Sequence, residues 1–143
     1  MAAWSWARGM TMSGTFEKCL HDAELVNVAV DRTSRFAQLD FRLEDGVSCA
    51  VELHGLKAFR SEDLTLQNVV SRLLRSSRQD MSEVELTQWL TWVTSLSDAS
   101  SWLREERKRE WVRACVDGAL ELLVIEPSAG AQIAVVCERA VVR

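Results

Sequence analysis

Residues 36–54 read FAQLDFRLEDGVSCAVELH. Ala37, Leu39, Phe41 and Leu43 alternate with Phe36, Gln38, Asp40 and Arg42, and after the turn Val47, Cys49, Val51 and Leu53 alternate with Ser48, Ala50, Glu52 and His54. Strict period-two alternation is the pattern of a strand with one buried face. Asp45-Gly46 between the runs is a strong hairpin signal, because both residues tolerate positive φ. These nineteen residues therefore predict an antiparallel hairpin with its inner face built from Leu39, Phe41, Val51 and Leu53.

The pattern extends in both directions. Upstream, Val26, Val28 and Val30 mark another strand, joined to the hairpin through the short polar link Asp31-Arg32-Thr33-Ser34. Downstream, Gly55 breaks the alternation and Leu56 and Ala58 continue it in the opposite parity, which suggests a β-bulge. Val69–Leu74 fits both periods; its β-branched pair and the meander before it favour a fourth strand. Arg75–Asp80 reads as a loop.

The period then changes. Ser82-Glu-Val-Glu85 is a capping box, followed by Leu86, Trp89, Leu90, Val93 and Leu96 at spacings of three and four. After a break at Ser97–Ser101, a second helix is expected over Trp102–Asp117, with Leu103, Val112, Cys115, Val116 and Ala119 turned to the core and Gly118 as a left-handed cap. Its centre, Arg104–Glu110, reads as a solvated face with i,i+4 pairs such as Glu105 with Arg109. Glu121–Glu126 resembles a central strand, Pro127–Gly130 a turn, and Gln132–Val142 the return strand. The expected fold is α+β: an antiparallel sheet of about six strands, with two helices inserted after the fourth and packed on one face. Leu86, Trp89, Leu90 and Val93 are expected to cover Leu39, Phe41, Val51 and Leu53. Residues 15–143 form one domain in this reading, and 1–14, with Trp4 and Trp6, a disordered tail.

Composition narrows function by exclusion. The chain has 143 residues, a net charge of −4 and one proline among them. No basic stripe suits nucleic acid, and no apolar run is long enough to span a membrane. The excess acid is local, since residues 21–66 hold nine acids and five bases. Cys19, Cys49, Cys115 and Cys137 are too scattered for a zinc site and read as reduced thiols of a cytoplasmic protein. No phosphate loop, nucleophile elbow or metal-ligand helix motif is present, so no cofactor or metal is expected. Four of the six tryptophans fall in the helical pair; core packing accounts for most, and an exposed one would mark a protein contact.

Three short segments carry a resemblance: His21-Asp22-Ala23-Glu24-Leu25, Gln67-Asn68-Val69-Val70 and Glu126-Pro127-Ser128-Ala129-Gly130-Ala131. They resemble small bacterial proteins of the immunity type, which neutralise toxins used in competition between bacteria. The resemblance implies a non-enzymatic partner of a toxin domain and carries over no functional residue. Toxic nucleases are often basic, and acidic patches steer such partners together. The candidate contact residues are Asp22, Glu24, Asp40, Glu52 and His54. The alternatives are a small enzyme centred on Asp40, Glu52 and His54, and a homo-oligomeric structural protein.

Overall fold

The computed structural model describes residues 20–97 and 100–143. The expected tail, Trp4, Trp6 and Cys19 lie outside the described residues. The chain runs through β1 (Glu24–Asp31), β2 (Phe36–Arg42), β3 (Ser48–His54), β4 (Ala58–Glu62) and β5 (Val69–Arg75). A 3₁₀ turn (Ser76–Arg78), α1 (Glu83–Val93) and α2 (Glu105–Asp117) follow, then β6 (Glu121–Ala129), β7 (Gln132–Cys137) and β8 (Arg139–Val142). The fold is α+β with an antiparallel sheet, as expected. The sheet has eight strands in the order β4-β7-β6-β5-β1-β2-β3-β8, and the helices follow the fifth strand, not the fourth.

Two bends account for the larger strand count. Gly55, at φ +67°, breaks one long run into β3 and β4, and Glu138 breaks another into β7 and β8. The two runs pair along their length, β3 with β8 and β4 with β7, and the register slips by one residue at the bend. There the Glu138 amide donates to the carbonyls of His54 (2.9 Å) and Gly55 (3.1 Å). The parity change at Gly55 is thus a corner at which the sheet folds over itself.

The corner produces two cores rather than one. Leu39, Phe41, Val51 and Leu53 are buried against Leu73, Leu123, Ile125, Ile133 and Val135, which come from the far half of the same sheet. Leu86, Leu90 and Val93 of α1, with Trp111 and Cys115 of α2, bury the opposite face of that half, on Leu122, Val124, Ala134 and Val136. The expected packing of the helices on Leu39 and Phe41 is therefore corrected. Each side finds its own cover, because β6 and β7 are apolar on both faces.

The helix ends follow local chemistry. Ser82 Oγ accepts from the Glu85 amide at 3.2 Å and Glu85 Oε1 accepts from the Ser82 amide at 3.0 Å, completing the capping box. Three helical expectations fail. Leu96, Val116 and Ala119 are exposed, whereas Trp111 and Lys108 are buried. The ion pairs of α2 are i,i+3, Glu105 with Lys108 and Arg107 with Glu110. The expected turn at Pro127 is also displaced: β6 continues to Ala129 and turns at Gly130.

The second seam is between β5 and β1, which pair directly only at Glu24 and Val69. Asn68, 5% exposed, holds it. Its Oδ1 accepts from the amides of Thr65 and Ala131, both at 3.0 Å, its Nδ2 donates to the Thr65 carbonyl at 2.7 Å, and its own carbonyl accepts from the Leu25 amide at 2.8 Å. Gly130 closes the arrangement, since a Cβ there would lie 2.6 Å from the Gln67 carbonyl oxygen and its φ is +79°. The three segments that carry the resemblance converge at this seam.

Two comparisons test these assignments by denaturant melt. Phe41 is 1% exposed and its neighbour Arg42 points outward. Phe41→Ala should cost about 3–5 kcal/mol and Arg42→Ala stay within about ±0.5. Asn68→Ala should lose about 1–3 kcal/mol for each buried amide left unpaired, whereas Gln67→Ala, on an exposed side chain, should be close to neutral. A larger loss at Arg42 than at Phe41 would reverse the assignment of the inner face.

Candidate functional site

The outer face of β2 and β3 is built by the same alternation that buries Leu39 and Phe41. Gln38 lies opposite Glu52, Asp40 opposite Ala50, and Phe36 opposite His54. On the other side Asn27 of β1 lies opposite Asp40 and Ala29 opposite Gln38, while β8 places Val141 beside Glu52 and Arg139 beside His54. Of the five candidate residues, Glu24, Asp40, Glu52 and His54 share this face. Asp22 precedes β1, in the left-handed region at φ 65°, with its amide donating to the Val70 carbonyl at 2.9 Å.

The polar groups of this face are engaged with one another. Asp40 accepts from Asn27 Nδ2 at 2.9 Å on one oxygen and from Gln38 Nε2 at 2.8 Å on the other. Glu52 meets His54 Nε2 at 3.0 Å with Oε1 and Arg143 Nε at 2.5 Å with Oε2. The His54 ring stands edge-on to Phe36, centroids 5.1 Å apart. A general base needs a lone pair aimed at a substrate proton, with a concave space to hold that substrate. Here both carboxylates spend both oxygens within the face. Grooves between the helices and beside β4 lie away from this face, whereas one between β1 and residues 64–68 borders it, with Glu24 and Asn27 in its lining.

The end of the face near the start of β1 is acidic. Asp22 Oδ2 lies 3.5 Å from His21 Nε2, and His21 Nδ1 bonds the Ser71 carbonyl at 2.8 Å. That backbone bond, with the charges of Asp22 and Glu44, raises the His21 pKa. Glu44 thus lies close enough to act electrostatically beside Asp22, and Glu24 stands next along the chain.

Other chemistry lies inside. Arg75 makes a two-pronged ion pair with Glu121, Nε to Oε2 at 2.5 Å and Nη2 to Oε1 at 2.7 Å. Cys115 and Cys137 flank this pair. Burial pushes the Cys115 thiol up to about 11 and the Cys137 thiol up to about 12, and the Glu121 charge adds to both. Thiols held this far from ionisation are poor nucleophiles. Among the described residues, no three His, Cys, Asp or Glu side chains gather as metal ligands would. No described helix is long and apolar enough to cross a membrane. Trp102, 52% exposed and edge-on to Trp111, is the tryptophan in the helical pair that reaches solvent most fully.

Two residues escaped the sequence reading. Asn68 is a single polar letter before a strand, and nothing local shows that it will bind three segments. Lys108 was legible: it stands three and four residues before Trp111 and Val112, on the helix's apolar stripe, and the alternating charges around it masked that position.

No protein-family model matches the chain, and no curated protein matches it. Among solved structures it is similar to a crystal structure of an uncharacterized protein from Neisseria gonorrhoeae, with a TM-score of 0.40 and 8% identity over 86% of this chain and 91% of that one.

Iodoacetamide labelling followed by mass mapping checks the thiol assignment. Cys115 and Cys137 should resist alkylation at pH 8 in the folded protein and react fully in denaturant. Rapid native labelling of either would contradict its burial.

Proposed function

We propose that this chain is a non-enzymatic binding protein of the immunity type, which neutralises a basic toxin domain by covering it with the outer face of β1, β2, β3 and β8. The observation that carries this reading is the mutual satisfaction of Asp40 and Glu52 on an open face. Polar side chains locked by neighbours present a fixed surface at low entropic cost, which favours recognition over proton transfer. The acidic end formed by Asp22, Glu24 and Glu44 supplies the charge complement for a basic partner and speeds encounter. Arg42, opposite Glu24, lies within that end, and Arg139 and Arg143 border the remainder of the face; together they limit partners to those that match a mixed pattern.

The test takes the reading frame adjacent upstream, which in this proposal encodes a secreted protein with a C-terminal toxin domain, and uses that domain. The full chain should bind it and block its activity. Glu24→Lys with Glu44→Lys should weaken binding by roughly tenfold or more, chiefly through a slower, salt-sensitive association rate. Ala29→Arg, a bulky insertion on the exposed face, should weaken it through faster dissociation. Capture of metabolic enzymes alone, with no secreted toxin domain, overturns the proposal, as does unchanged binding by all three substitutions in folded protein.

A further inference from the structure

The groove between α1 and α2, about 500 Å³, has no part in the reading above. A volume of this size suits a small ligand. Its apolar surface comes from Val112, half-buried, and Val116, 58% exposed although it carries an aliphatic side chain on a helix. Lys108 also lines the groove and is only 5% exposed. Its Nζ donates to Glu105 Oε1 at 3.2 Å. An ammonium has three protons to donate, and among the described residues Glu105 accepts one of them. Withdrawing a cation from water is costly unless its donors are met. Glu105 is itself exposed and lines the same groove, so the ammonium sits at the groove wall and not in the core.

Arg109 and Arg113 stand one turn apart on the same lining, both exposed and without an ion-pair partner among the described residues. Three cations thus face one apolar-floored groove. Glu83, Glu105 and Asp117 balance them at the rim. That balance disfavours a multiply charged anion, which would meet the rim carboxylates, and suits a single negative charge. The two arginines match a carboxylate's planar geometry.

We propose that this groove binds a small aliphatic monocarboxylate, its carboxylate held by Lys108, Arg109 and Arg113 and its hydrocarbon chain lying on Val112 and Val116. The site is separate from the outer sheet face, so its failure leaves the protein-binding proposal standing and the converse also holds. The probe is octanoate, titrated into the full chain and followed by amide chemical shifts. Saturable shifts are expected at Thr87, Arg109, Val112 and Val116, with a dissociation constant on the order of 0.1–1 mM. Octylamine and inorganic phosphate at matched ionic strength should give no saturable shift there. Lys108→Met, which keeps the buried stem, should weaken octanoate binding at least tenfold. Should that variant unfold, Arg109→Gln with Arg113→Gln, both on exposed side chains, should produce the same loss in folded protein. Absence of saturation up to about 10 mM octanoate, equal binding of phosphate or octylamine, or octanoate binding undiminished in the folded variants overturns the proposal.

Discussion

β6 and β7 are buried on both faces, and the rest of the architecture answers that constraint. Leu123, Ile125, Ile133 and Val135 face one core, and Leu122, Val124, Ala134 and Val136 face the other. Apolar strands of this kind need cover on two sides. The helices supply one cover. The other comes from the first half of the same sheet, which can return over β6 and β7 only because Gly55 and Glu138 turn the corner. A one-sided sheet would have left one of these apolar sets in water.

Closing the sheet creates a second requirement, since β1 and β5 meet over a very short ladder. Asn68 meets it by joining the Thr65 loop and the turn after β6 through its buried side-chain amide, and the start of β1 through its backbone carbonyl. Its environment draws together the three separated segments His21–Leu25, Gln67–Val70 and Glu126–Ala131. They are neighbours in space, and their residue types serve the seam: an amide with both donor and acceptor, a glycine where Cβ cannot fit, and strand openings that pair across it. These motifs therefore speak for construction, and function has to be sought on the surfaces that the construction exposes.

Those surfaces differ in kind. The outer face of β2 and β3 carries carboxylates that are bound to neighbouring amides, imidazole and guanidinium. The helical groove carries cations in excess of their bonded partners, over aliphatic side chains. In the proposed readings the first arrangement serves an extended protein contact and the second a small anion, and the two lie on different layers of the molecule.

The hairpin of residues 36–54 and the start of α1 were legible in the sequence because their causes are local: period-two alternation, an Asp-Gly turn and a capping box act within a few residues. The shared face of Asp40, Glu52 and His54 follows from the same period. What covers Leu39 and Phe41 was settled by tertiary structure alone, since the helices and the far half of the sheet offer equally apolar surfaces and only the Gly55 corner selects between them. The partners of Asn68 and the burial of Lys108 belong to the same class. Each depends on segments tens of residues apart in sequence, and a local pattern carries no information about which distant surface will arrive.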